Sequence, residues 1–360
     1  MSSTSSSPTL ERNLANAKQM AMVLLDKQGG ESAAEIKGKN LIYLFWALFG
    51  SACLAVGSFI RGTCSERPLP AKFALSLVYL ILSTLQIYIY KLKHGSNFKY
   101  PWRRQSNGKF SCTQFFILAL GGICEFLSSV AMLMTLNLAM ESNVNQGIAT
   151  SIMIVLTVEV TFLSYYFFGE TISMIQMFGI VVVMCAVALL AVYTPAEING
   201  TGNNVSVFGT LSVSISALTC TAFSAVTITC CNWLKIKRSI PGDISGTFFM
   251  LIDGILGSIC LVSSTFNGGG VRELTLISFG MLEIGAVLAY TGIVVSNYTI
   301  SIGVTGIVVA IYNASAFVHV VLSALFLGQR ITMTQILCVL VLIAGACFIS
   351  ISEVVLARAQ

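Results

Sequence analysis

The chain has 360 residues, 56% of them hydrophobic and only 10% charged, with a formal net charge of +5. A soluble domain carries about 25% charged residues, so this chain cannot cover itself with polar surface in water and needs lipid around it. Where its positive residues lie matters more than their sum, and the balance is no sign of a nucleic-acid partner.

Residues 1–40 are Ser-rich and polar, from MSSTSSSPTL to Lys39, and lack the early apolar core of a secretory signal. They read as a cytosolic tail, in which Asn13 to Leu25 has the pattern of a short amphipathic helix on a membrane surface. Ten apolar runs of spanning length follow, at 41–60, 72–91, 113–137, 145–168, 174–193, 206–231, 244–264, 275–299, 304–327 and 333–355. They are too long for strands, which excludes a β-barrel. The expected fold is an all-α integral membrane protein, with one five-helix half at 41–193, a loop at 194–205 and a second half at 206–355.

Lysine and arginine orient these spans. With the N-terminus in the cytosol, 15 positive residues fall on the cytosolic side, in the tail, in the loop from Lys91 to Lys109, and at Lys235, Lys237, Arg238 and Arg358. Five fall on the other side: Arg61, Arg67, Lys72, Arg272 and Arg330. The loop between spans five and six has no positive residue and carries two glycosylation sequons, at Asn199 and Asn204, on the non-cytosolic side. Both termini are thus expected to be cytosolic, in a plasma membrane or an endomembrane. The 11 cysteines lie mostly inside apolar runs, without CxxC spacing, and read as small packing residues; Cys230-Cys231, near a boundary, is also open to palmitoylation.

One segment is written twice. FFGETISMIQ (Phe167 to Gln176) follows span four, and FLGQRITMTQ (Phe326 to Gln335) follows span nine, 159 residues later, with five of ten residues identical. The same offset aligns Gly147 with Gly306, Ile148 with Ile307 and Ser164 with Ser323. Five spans per half is an odd number, so the second copy must enter the membrane inverted, the signature of many secondary transporters. This pattern resembles the drug/metabolite transporter superfamily, whose EamA-type repeats close the fourth helix of each half with a Gly-Glu corner; here the second corner has Gln329 in place of Glu. The resemblance covers roughly 41–355 and implies that spans three, four, eight and nine line a central cavity, that one and six move, and that five and ten lie at the periphery and favour homodimer contacts.

Four acids lie within spans: Glu125, Glu159, Asp253 and Glu283. A buried acid costs about 2.5–3.5 kcal/mol at a helix centre and usually faces a cavity or a partner. The repeat offset puts Glu283 opposite Cys124, next to Glu125, which makes the two acids near-equivalent. Three polar stripes read as cavity wall: Glu283, Tyr290 and Asn297 on span eight; Gly121, Glu125, Ser128 and Ser129 on span three; Tyr312, Ser315, His319 and Ser323 on span nine. Interhelical hydrogen bonding is the alternative for each. Glu159 lies off the Thr150, Thr157, Ser164 stripe, Asp253 suits a partner on a neighbouring helix, and the hydroxyls of span six suit packing.

No lysine or arginine occupies a span centre, whereas phosphorylated and anionic solutes need such cations to replace their hydration. The expected cargo is therefore a small neutral or cationic organic solute, moved by alternating access and coupled to protons through the acids and His319. An anion or nucleotide-sugar exchanger, and a non-transporting receptor or scaffold, are the alternatives. There is no phosphate-binding loop and no catalytic or metal motif, so neither enzyme activity nor a cofactor is expected. Thiols placed at residues 94 and 200 are expected to react with impermeant reagents from opposite sides of the membrane, and labelling of both from one side would defeat the inverted arrangement.

Overall fold

The computed structural model describes residues 33–64, 70, 73–95, 98, 100–103, 109–142, 144–169, 171–192, 207–302, 308, 311–329 and 331–359. The α-helices are α1 (Ala33–Thr63), α2 (Leu75–His94), α3 (Cys112–Glu141), α4 (Gln146–Ser151), α5 (Leu156–Phe168), α6 (Met174–Val192), α7 (Val207–Arg238), α8 (Gly242–Phe266), α9 (Leu276–Ile302), α10 (Ser315–Leu327) and α11 (Met333–Ala359). Contacts divide the chain into residues 1–45 and 46–360. The described part of the first unit is the opening of α1, and all contacts below belong to the second. Residues 1–32 of the tail with the predicted surface helix at 13–25, the loop at 194–205 with its sequons, Gly306, Ile307 and the corner acid Glu170 lie outside the described residues, and the last part of the expected tail, from Ala33, is the opening of α1.

Helix forms at each place where a span is expected. Among the described residues, eight stretches are long and apolar enough to cross a membrane: Ile42–Thr63, Leu75–His94, Cys112–Glu141, Gln146–Phe168, Gly209–Arg238, Gly242–Phe266, Leu276–Thr299 and Met333–Ser350. Met174–Leu190 and Ile311–Leu327 are shorter apolar helices. Large apolar side chains such as Phe116, Tyr166, Met174 and Leu276 are exposed, while Ser83, Thr135, Ser151, Thr221 and Ser245 are fully buried. This inversion of the soluble pattern suits a multi-pass bundle in lipid.

The helices pair closely. α3 packs along α7 and α6 along α11, and these are the most extensive contacts; α2 packs on α8, α8 on α3, α4 on α10, and α5 on α7. α1 meets α9 through Gly50, Gly57, Gly285 and Gly292, where backbones touch. A Cβ on Gly57 would sit 2.8 Å from both the Ala289 nitrogen and the Gly285 oxygen. α6 and α11 also join α4, α5 and α10 in the largest apolar cluster, around Ile154, Val183, Leu190, Val339 and Leu342, so only their outer faces are peripheral.

Span four is expected to be one helix over 145–168, but α4 passes into a 3₁₀ turn, Ile152–Val155, before α5 begins. The hydroxyls of Thr150 and Ser151 both donate to the Gly147 carbonyl, at 2.9 and 2.8 Å, and so compete with the helix's own amides. A β-branched run, Ile-Met-Ile-Val, follows them. In span nine the corresponding departure is slight: Ala314, just before α10, is a turn residue that keeps right-handed helical angles, φ −65° and ψ −17°.

The duplicated corner is a pair of helix caps. Gly169 and Gly328 end α5 and α10 in the left-handed conformation, with φ of 69° and 62°, which side chains disfavour. Four residues on, each copy opens the next helix with a reciprocal cap. The Ser173 amide donates to Gln176 Oε1 at 2.8 Å while the Gln176 amide donates to Ser173 Oγ at 3.2 Å. Thr332 and Gln335 repeat this at 3.0 and 3.2 Å. The conserved chemistry of the corner thus sits on Gly, Ser/Thr and Gln, and the variable residue is free for another task. Gln329 uses it to accept a hydrogen bond from the Gln146 amide at 3.0 Å, which ties the corner to the start of α4.

In thermal unfolding of the detergent-solubilised protein, Gly57→Leu is expected to lower stability by about 1–3 kcal/mol. Gly280→Ala, where the added carbon meets nothing within 4 Å, is expected to leave it unchanged or slightly raised.

Candidate functional site

The two interrupted helices meet at their breaks. Asn313, just before the Ala314 turn, donates from Nδ2 to Thr157 Oγ1 at 2.9 Å, just beyond the 3₁₀ turn. His319, one turn into α10, shares a 3.3 Å hydrogen bond with Thr150 of α4, and its ring stands edge-on to Phe59 of α1. Gly147 admits the backbone of Val320 so closely that a side chain there would collide with it. At that end of the bundle Gln146 donates to the Gly62 carbonyl at 3.1 Å and Gln329 reaches Gln146. α1, α4 and α10 are thereby fastened together at one end, with the helix breaks deeper in the bundle.

A second cluster lies between α1, α2, α3 and α8. Arg61 is 6% exposed. Its guanidinium donates to the Gly57 carbonyl, Ser58 Oγ and Tyr79 Oη at 3.3, 3.0 and 3.3 Å. Tyr79 is fully buried, and Gly254 of α8 packs against the backbone at Tyr79 and Leu80. The preceding residue, Asp253, accepts a 2.8 Å hydrogen bond from Ser129 of α3 through Oδ2, while Oδ1 has no partner. Glu125 and Asp253 lie within electrostatic reach of Tyr79 and of each other, and Arg61 within that of Asp253 and His319.

The sequence-derived candidates do not all converge. Glu125 lies beside Thr227 and within electrostatic reach of Asp253. Glu283 is half-buried on α9, with Oε1 unpartnered. Glu159 accepts from Thr221 of α7 at 3.0 Å, and its second oxygen is unpartnered. Tyr290 donates to Gln86 at 2.6 Å, Asn297 packs against Gly246 of α8, and Tyr312 donates to the Gly292 carbonyl at 3.2 Å. Ser315 is half-buried at the start of α10. On span three, Ser128 and Ser224 share a 2.6 Å hydrogen bond and Gly121 receives Phe249, so that stripe serves helix packing. The hydroxyls of span six do the same through Ser216, Thr221 and Thr227. Cys230 is buried, and Cys231, partly exposed, contacts Ser245 at 3.2 Å.

Two features went unread in the sequence. Arg61 appeared to lie outside the membrane, yet α1 runs on to Thr63 and carries it into the bundle. On α2, Tyr79, Ser83, Gln86 and Tyr90 recur at helical spacing, a visible stripe. Two of them join a ladder in which Gln86 accepts from Tyr290 and donates to Tyr90 at 3.2 Å, and Tyr90 donates to Asp243 at 2.8 Å. Among the described residues, no three or more His, Cys, Asp or Glu side chains gather as metal ligands.

No family model and no curated protein matches the chain. A solved structure, known only as "Crystal structure of protein", superposes with a TM-score of 0.54 at 18% identity, covering 90% of this chain and 98% of its own. At that identity the likeness speaks to the fold alone.

Ser129→Ala is expected to lower thermal stability by about 0.6–1.7 kcal/mol, the range for a hydrogen bond between membrane helices. Thr84→Val, at an exposed residue that bonds only its own helix, is the control and should change it little.

Proposed function

We propose that this protein is a secondary active transporter of a small organic solute, working by alternating access with ten spans in two inverted five-helix halves, in the manner of the drug/metabolite transporter superfamily. The observation that carries the reading is the pair of opposed, interrupted helices. The 159-residue offset of the duplicated corner sets Ala314 opposite Val155, so spans four and nine break at equivalent places and touch there through Asn313 and Thr157. Interrupted segments at corresponding places in two halves mark the binding region in transporters of this kind, because freed backbone groups and half-helix ends face the solute.

The helix pairing supports the same symmetry. Exchanging the halves turns the α3–α7 contact into α9–α1 and returns α2–α8, α6–α11 and α4–α10 to themselves. The link from Gln329 to Gln146 to Gly62 then closes the external side, with Ser315, Asn313, Thr157 and Glu159 beneath it. Glu125, Glu159, Glu283 and His319 supply sites for a coupling proton, and Tyr290, Asn297 and Tyr312 support the walls. The expectation of a neutral or cationic solute rested on the lack of a cation within the spans. Arg61 provides one, and the charge of the cargo is taken up below.

Ser315→Cys on a cysteine-free background is expected to react with an impermeant thiol reagent applied to either side of sealed vesicles. Cross-linking thiols introduced at Gly62 and Gln146 should then leave one side only. Labelling from a single side with and without the cross-link would favour a static receptor or scaffold.

A further inference from the structure

An arginine as buried as Arg61 is normally held by a carboxylate, because desolvating a cation costs several kcal/mol unless an anion repays it. Among the described residues its three acceptors are all neutral: a carbonyl, a serine and a tyrosine. A guanidinium has five N–H donors, so one on each terminal nitrogen remains unengaged, in the forked arrangement that matches a carboxylate. An acid stands near and does not fill that fork. Asp253, 1% exposed, is turned to Ser129 through one oxygen and has no partner at the other. Buried opposite charges within electrostatic reach of each other, with no ion pair between them and unsatisfied atoms on each, leave room in hydrogen-bonding terms for a molecule that carries both charges. A simple anion would meet the Asp253 carboxylate, and a simple cation would meet Arg61.

We infer that Arg61, Tyr79 and Asp253 form a recognition site for a small amphoteric solute, whose carboxylate takes the open fork of Arg61 and whose ammonium group donates to Asp253 Oδ1. The assignment of that solute as cargo rests on the transport reading. His319, whose Nε2 is also unpartnered at 1% exposure, lies on the α10 side of Arg61 and offers a further contact.

The test uses three matched panels on the purified full chain: common α-amino acids, the amines left by removing their carboxylates, and the acids left by removing their amines. At least one zwitterion is expected to raise the melting temperature, while its amine and acid counterparts do not. Arg61→Gln should abolish that shift. Arg61→Lys, which keeps the charge and loses the fork, should weaken apparent affinity by about 10- to 100-fold and guards against a folding defect. Asp253→Asn should weaken zwitterions without admitting amines. Equal stabilisation by amines, an undiminished shift in Arg61→Gln, or no shift from any zwitterion would overturn the inference. Counterflow in proteoliposomes separates the two proposals. Transport of an amine by wild type and Arg61→Gln alike keeps the transporter and removes this site. Zwitterion binding without counterflow of any panel member keeps the site and removes transport.

Discussion

In a bilayer a polar side chain has no water to fall back on, so it must find a partner inside the protein or carry a cost of a few kcal/mol. That constraint organises the molecule. The hydroxyls of α3 and α7 bond across their shared seam, and Ser128 with Ser224 and Thr135 with Ser216 act as fasteners where apolar packing alone would not distinguish one register from another. Glycines on α1 and α9 bring backbones together where side chains would hold them apart. Against this background, the buried atoms without a partner include carboxylate oxygens of Asp253, Glu159 and Glu283 and the Nε2 of His319.

The interruptions follow from the same economy of hydrogen bonds. Two hydroxyls drawn to the Gly147 carbonyl weaken the helix at that turn, and a β-branched stretch does nothing to restore it. The result is a span in which α-helix passes through a 3₁₀ turn and back to α-helix, packed against span nine. Around these helices, α2 packs along α8 and α6 along α11. Gln329 shows how a duplicated element diverges. The glycine and the reciprocal Ser/Thr–Gln cap are constrained by geometry and recur, while the residue between them is unconstrained and has become a bridge to α4.

Much of the frame was legible in the chain. Apolar runs of spanning length placed the helices, because a spanning helix must be both long and apolar, while the polar extensions Ala33 to Asn40 of α1 and Asn232 to Arg238 of α7 lay beyond the reach of hydropathy. The corner FxGxxI[ST]MxQ announced two equivalent turns. The acid Asp253 was rightly assigned a partner on a neighbouring helix, found in Ser129. The site was less legible. Register matched Glu125 with Glu283 but could not name Asp253 as a neighbour of Glu125, since register fixes a residue's depth on its own helix and not which neighbours that face meets. Arg61 was read as external because hydropathy ends a span at its first charge, whereas the helix continues and neighbouring oxygens draw the charge inward.

The amino-acid sequence by itself determined that the chain is helical, that it belongs in lipid and that its corners are written twice, since these depend on local composition and on caps a few residues wide. Tertiary structure alone decided which polar groups are spent on packing and which remain open. That outcome turns on atoms from helices distant in sequence, such as Arg61 against Tyr79 or Asn313 against Thr157, meeting within hydrogen-bonding distance.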